Sequence, residues 1–290
     1  MQIVYHLGLH CTDEERLLRC LLKNRAALAD EGIAVPGPAR YRTLLRDTAK
    51  TLKGQPAGEE TQSLVLDEII GNDVARRLVF SWDNFPGYPQ GAVRSGFYAS
   101  AGERMRGFRQ IFPEAETEFH LALRNPATFI PALYQKQGGL GFEAFMEGVD
   151  LTLLRWSDLV AGLRAANPDV AITLWCDEDT PLIWPEVLQA VSGHGPETVL
   201  EDSDDLLGSL MSADGMQRMT AYMESHPPQN PAQRRRIVSA FLDKFALRDR
   251  IDLEFEMPGW TEAMIAQANA DYDMDMARLL AMPDIRVITA

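Results

Sequence analysis

Side chains able to do chemistry gather at four short breaks in this chain. They are His10-Cys11-Thr12-Asp13, Ser81-Trp82-Asp83-Asn84, Arg124-Asn125 and Cys176-Asp177-Glu178-Asp179. His10 has the side chain of a general base working near neutral pH, and Asp83 is a carboxylate able to take a proton from an attacking group. Arg124 offers a planar fork that matches phosphate or sulfate; a salt bridge to Asp13 or Glu14 is its alternative. Cys11 stands at a helix start, a position that lowers a thiol pKa, but the carboxylates of Asp13, Glu14 and Glu15 oppose that effect. The oxygens of the fourth break suit a divalent cation or, more ordinarily, a solvated strand end. Arg234-Arg235-Arg236 reads as a solvated helix face or as a contact for an anionic substrate.

These breaks need elements to position them, and each follows an apolar run. Residues 2–9, 77–82, 117–123 and 169–175 read as buried strands. His6 falls inside the first of them, where a core histidine is expected. Leu17, Leu18, Leu21, Leu22 and Leu28 share one helical face, so a long helix follows the first strand. Thr12 with Glu15 makes a capping box at its start, and Gly32 fits its end. Further helical patterns cover 40–52, 60–70, 101–112, 127–137, 142–148, 156–166 and 181–192. Strands alternating with helices predict an α/β fold: a three-layer parallel sheet flanked by helices. Ligands on such sheets bind beyond the carboxyl ends of the strands, so all four breaks fall on the ligand-binding edge. The composition changes after Gly195. An acidic and then helical stretch (201–224), a rigid HPPQNP linker (226–231) and helical patterns at 232–245 and 261–281 follow. The expected division is an α/β core over 1–195 and a helical C-terminal extension over 196–290, packed on the core or lidding it within one structural domain.

Composition excludes some functions. The formal net charge of −14 repels phosphate backbones and anionic lipid, so neither nucleic acid nor a membrane is an expected partner. No run approaches 18 apolar residues. Cys11, Cys20 and Cys176 are odd in number and lack metal-ligand spacing, which points to reduced thiols and no metal. The opening Met-Gln-Ile-Val-Tyr-His has neither the basic nor the apolar region of a signal peptide. A cytoplasmic location is expected. The Gly-x-x-x-x-Gly-Lys-Ser/Thr signature of nucleotide triphosphatases is absent from the opening.

The segment HLGLHCTDEERLLRCLLKNRAALADEGIAVPG resembles the start of bacterial sulfotransferase-like proteins, which have a P-loop-like fold. That start reads His-x-Gly-x-His-Lys-Thr-Gly-Thr-Thr, then a long helix, Asn-Arg-x-x-Leu and a Gly-Ile/Val-x-Tyr/Val-Pro turn. LALRNPATFIPALY is similar to their Leu-Arg-Asp-Pro signature and RLVFSWDNF to their Ser-Ser-Glu-x-Phe strand end. YDMDMARLLAMPDIRVI resembles their tail. The resemblance implies sulfuryl transfer from phosphoadenosine phosphosulfate (PAPS) to a hydroxyl or amine of a small-molecule or glycan acceptor. It assigns donor binding to His6, Gly8, His10, Cys11, Thr12 and Arg124, and the base to Asp83 or His10. In such a site, loop N–H groups and a helix dipole hold a phosphate, while a lysine meets the charge on the bridging oxygen.

Several positions depart from that pattern. Cys11 stands where the lysine is expected, Asp13 replaces the loop glycine, and Glu14 and Glu15 fill the threonine region. Ala132 occupies the serine position eight residues after Arg124. Two expectations follow: a PAPS-dependent sulfotransferase, or a catalytically degenerate descendant that keeps the fold as a binding or scaffold module. The sequence names neither the acceptor nor the oligomeric state.

Overall fold

A computed structural model describes residues 1–71, 73–139, 141–251 and 257–290. The chain opens with β1 (Gln2–His6), α1 (Arg16–Lys23), α2 (Arg25–Asp30), β2 (Ile33–Ala34), α3 (Pro38–Leu52), α4 (Glu59–Ile70) and β3 (Arg77–Ser81). It continues through α5 (Ala101–Arg109), β4 (Glu116–Leu123), α6 (Pro126–Gln137), α7 (Phe142–Met146), α8 (Trp156–Ala166), β5 (Ala171–Cys176) and α9 (Thr180–Ser192). Helices α10 (Asp205–Leu210), α11 (Ala213–Ser225), α12 (Pro231–Phe245), α13 (Arg248–Ile251) and α14 (Glu262–Leu280) lead to β6 (Ile285–Ile288).

The strands form one six-stranded sheet, ordered β2-β3-β1-β4-β5-β6, and every pairing is parallel. Burial on both faces explains why the central strands read as nearly continuous apolar runs. Ile3 and Tyr5 of β1 enter one core with Phe80, Phe119 and residues of α3, α4, α5, α6 and α8, whereas Val4 enters the other with Val79, Trp175 and residues of α1, α2 and α9. The chain leaves β1 toward β2 on the α1–α2 face, and every later crossover runs the opposite way. Crossovers of one hand require that change of face when direction reverses. The reversal lies between β1 and β4, so their outgoing loops diverge and open a crevice at the carboxyl edge.

Local sequence sets several element ends. Pro38 occupies the first turn of α3, where its missing N–H has no cost. Asn125 accepts from the Ala127 N–H at 2.9 Å and caps α6. Gly193, at φ 70°, ends α9 in the left-handed conformation. Helices α5 and α8 cross closely at Gly102, where an added Cβ would lie 2.3 Å from the Gly162 carbonyl oxygen.

Three expectations are corrected. The capping box fails: α1 begins at Arg16, and Thr12 Oγ1 donates to the Leu9 carbonyl at 2.7 Å instead of capping a helix. The long first helix breaks at Asn24, whose side chain donates to Cys20 O and Glu201 O and accepts from the Glu201 N–H. The C-terminal extension is not wholly helical, because β6 completes the sheet beside β5; its α14 packs on α6 and α8.

Candidate functional site

The loop after β1 is fixed from both sides. Leu7 N–H donates to His120 O at 2.8 Å, and Gly8 O accepts from Ala122 N–H at 2.6 Å, which extends the β4 contact beyond the strand. Gly8 sits at φ 87°, and a Cβ there would lie 3.2 Å from Asp83 Cβ, so this approach of the β1 and β3 ends requires glycine. Cys11, Glu14 and Glu15 adopt φ of 59°, 48° and 64°, a region that non-glycine residues enter rarely. The resulting turn presents Asp13 to α1. Its carbonyl accepts from Arg16 N–H at 3.0 Å and its Oδ2 from Leu17 N–H at 2.9 Å. The positive end of α1 is therefore met by a carboxylate of the protein itself.

Two histidines stand at the carboxyl edge in different states. His10 is buried. Its Nε2 lies 3.1 Å from Asn84 Oδ1 and its Nδ1 2.6 Å from the Tyr98 hydroxyl. An amide oxygen only accepts, so the network assigns the proton to Nε2, and Nδ1 accepts from Tyr98. Burial holds the His10 pKa below its ordinary value, against the opposing field of Asp83. Both ring nitrogens of His10 are thus engaged within the protein. His6 is buried as well, stacked on Trp175 at 6.0 Å, with Nδ1 2.9 Å from Ser81 Oγ. Its Nε2 has no hydrogen-bond partner among the described residues. Burial lowers the His6 pKa too.

Asp83 lies at the end of β3, with Oδ2 3.3 Å from Lys136 Nζ and 3.8 Å from His10 Nε2. Across the crevice, Arg124 Nη1 donates to Cys11 O at 2.5 Å and Nε to Thr128 Oγ1 at 3.0 Å. Trp156 Nε1 donates to the Arg124 carbonyl at 2.9 Å. The loop after β1 and the residue after β4 are thus joined, and the expected neighbours 10–13 and Arg124 come together. Arg124 binds loop backbone there. Asp177, at the end of β5, is pushed up to about 7 by burial and by the nearby carboxylates Glu178, Asp13 and Glu14, against the pull of Arg124. This edge of the sheet is crowded with negative charge.

A cleft of about 220 Å³ opens beside the loop. Of the residues expected in the site, His6, Gly8, Cys11 and Asp83 line it; His10, Thr12 and Arg124 do not. Ser81, from the second of the four breaks, lines it too, while sequence reasoning missed Arg42 of α3 and Lys136 of α6. Arg42 pairs with Glu15 at 2.7 Å and donates to Ser81 O at 3.0 Å. No local pattern marks Arg42 or Lys136, since each arrives from a helix surface far along the chain. Cys11 is buried and its thiol is pushed up to about 11 by that burial, which removes the reactive-thiol reading. Arg234 and Arg235 pair with Asp204 and Glu186 at 2.6 and 2.9 Å, as internal links do.

Tested against PAPS, these residues do not fit. The N-terminus of α1 carries Asp13, Glu14 and Glu15 share the cleft, and Arg124 is turned to the Cys11 carbonyl. Among the described residues no cluster of His, Cys, Asp and Glu could hold a metal ion. Among them, too, no helix is long and apolar enough to cross a membrane. No protein-family model, curated protein or solved structure matches the chain.

Proposed function

We propose that the chain is a sulfotransferase-fold binding module in which sulfuryl transfer from PAPS has been lost. The observation that carries this reading is the bond from Leu17 N–H to Asp13 Oδ2, at 2.9 Å. In the resembling proteins that helix end holds a donor phosphate. Here an internal carboxylate satisfies the same N–H.

Magnitudes favour the internal carboxylate. A helix N-terminus contributes about 0.3–2 kcal/mol to an anion. One like-charge pair at roughly 5 Å costs about 3 kcal/mol at an effective dielectric near 20, and Asp13, Glu14 and Glu15 all line the cleft. The repulsion exceeds the attraction. Sulfuryl transfer, with Asp83 as base toward a hydroxyl or amine, is the competing reading. It is supported by the place of Asp83 in the cleft beside Lys136.

Calorimetry separates the two. Titration with PAPS or adenosine 3′,5′-bisphosphate is expected to give no heat at high micromolar ligand, and the double variant C11K/D13G is expected to gain affinity. Formation of adenosine 3′,5′-bisphosphate from PAPS by the unaltered chain would overturn the proposal.

A further inference from the structure

Among the described residues, the cleft keeps a buried ring nitrogen without a hydrogen-bond partner. His6 is 1% exposed and lines the cleft, yet its Nε2 has no hydrogen-bond partner among the described residues. A ring nitrogen buried without a partner is costly. The Nδ1 contact with Ser81 Oγ permits either tautomer, because a hydroxyl both donates and accepts. When Nδ1 carries the proton and donates to Ser81, Nε2 presents a lone pair.

The charge around that lone pair has one dominant sign. Asp13, Glu14, Glu15 and Asp83 line the cleft, against two cations, Arg42 and Lys136. Each cation is already paired, Arg42 with Glu15 and Lys136 with Asp83. Among the described residues Asp13 and Glu14 form no ion pair with a Lys, Arg or His side chain. Asp13 and Asp83 both lie within electrostatic reach of the His6 ring. A neutral imidazole acceptor beside surplus carboxylates complements a group with several N–H donors and a positive charge. The volume of about 220 Å³ lies below that of pockets for drug-sized ligands. A metal ion is disfavoured, because no group of ligating side chains among the described residues could hold one.

We infer that the cleft binds a small organic ammonium ion, held by the Nε2 lone pair of His6 and by the carboxylate of Asp13 with the field of Asp83. This rests on the reading above, that the cleft no longer takes the anionic donor. Like the loss of the donor, it follows from the carboxylates that replaced the anion cradle; unlike it, it also needs the free nitrogen of His6.

The test titrates 1,4-diaminobutane into the 290-residue chain, followed by calorimetry and by the ¹⁵N resonance of His6 Nε2. Sodium acetate serves as the anionic control. The expected result is saturable one-site binding with Kd below about 1 mM, an Nε2 resonance that moves with saturation, and no response to acetate. Asp13→Asn keeps a capping oxygen and is expected to weaken binding about tenfold, a loss of about 1.4 kcal/mol. Asp243→Asn makes the same charge change on the exposed side of α12 and is expected to change Kd less than about twofold. Equal weakening by the two variants, or a response that never saturates, means diffuse attraction to an acidic chain and overturns the inference. The resonance of the unaltered protein decides the matter should D13N fail to fold. Adenosine 3′,5′-bisphosphate run in parallel separates the two levels. If the nucleotide binds, the parent reading falls; if neither ligand binds, only the ammonium inference falls.

Discussion

Lys136 Nζ, in the last turn of α6, stands 3.3 Å from Asp83 Oδ2 at the end of β3. The pair places an ammonium within electrostatic reach of Cys11, the position where the resembling proteins have their lysine. A cation is therefore present in the cleft, but it comes from another element and a carboxylate holds it.

The thiol beside this pair is expected to be inert. With Cys11, Cys20 and Cys176 each pushed up to about 11 by burial, the thiolate fraction at pH 8 is about one in a thousand. Labelling by Ellman's reagent at pH 8 is expected to run roughly two hundredfold slower than for a free thiol of pKa about 8.5, and to reach the buried Cys11 and Cys20 fully only after unfolding. Lys136→Met removes the ammonium that favours the thiolate and slows Cys11 further. Rapid labelling of Cys11 in the folded protein contradicts the placement described.

Acid sensitivity should begin near neutrality. Burial lowers the pKa of His6, His10 and His120 in the folded chain. The unfolded chain titrates near 6.5 and so binds more protons below that pH. Stability is then fully present above about 6.5 and is lost as pH falls toward the depressed folded values, by up to about 1.4 kcal/mol per histidine per pH unit. Thermal melts at pH 7.5 and 5.5 check the sign: Tm is expected to drop. A flat profile in the Asp177→Asn variant, which lacks the opposing titration of that carboxyl, argues against neutral buried imidazoles.

Asp177 should behave in the opposite sense. Its folded pKa of about 7 exceeds the unfolded value of 3.8, so its contribution is fully present below pH 3.8 and is lost as pH rises through 7. Asp177→Asn removes the ionised group from among Glu178, Asp13 and Glu14. At pH 8 it is expected to stabilise the fold by about 1–2 kcal/mol, discounted for the half-buried, partly screened site. At pH 5, where the native carboxyl is protonated but the unfolded one is still ionised, the gain should fall to roughly a third. Equal gains at both pH values would refute the electrostatic cause.

The close crossing of α5 and α8 gives a prediction independent of the site. Gly102→Ala would put Cβ 2.3 Å from the Gly162 carbonyl oxygen, so the helices must separate. Overpacking of this kind costs about 1–3 kcal/mol. Urea unfolding is expected to shift its midpoint down with an unchanged slope. A neutral effect would mean that the helices do not approach so closely.

The sequence made some of this legible and hid the rest for physical reasons. The runs RLVFSW and TEFHLAL announce their strands because both faces are buried, and 156–166 announces its helix by periodicity. Strand β6 is four residues long with Arg286 among them, so it carries no strand signal of its own. The edge holding residues 10–13 and Arg124 followed from the alternation of strands and helices. The loop conformation did not, because Cys11, Glu14 and Glu15 are not residue types that signal positive φ. The sequence offered His10 as a general base and did not show its contact with Tyr98, which lies 88 residues away in the chain.

The most direct measurement is a crystal structure grown with millimolar adenosine 3′,5′-bisphosphate. The expected map shows no nucleotide at the loop between β1 and α1, with the Asp13 carboxylate on the Leu17 N–H and Arg124 on the Cys11 carbonyl. Phosphate density on the N–H groups of residues 10–13, with Asp13 turned away and Arg124 on the ligand, would contradict the claim that the chain fills its own anion site.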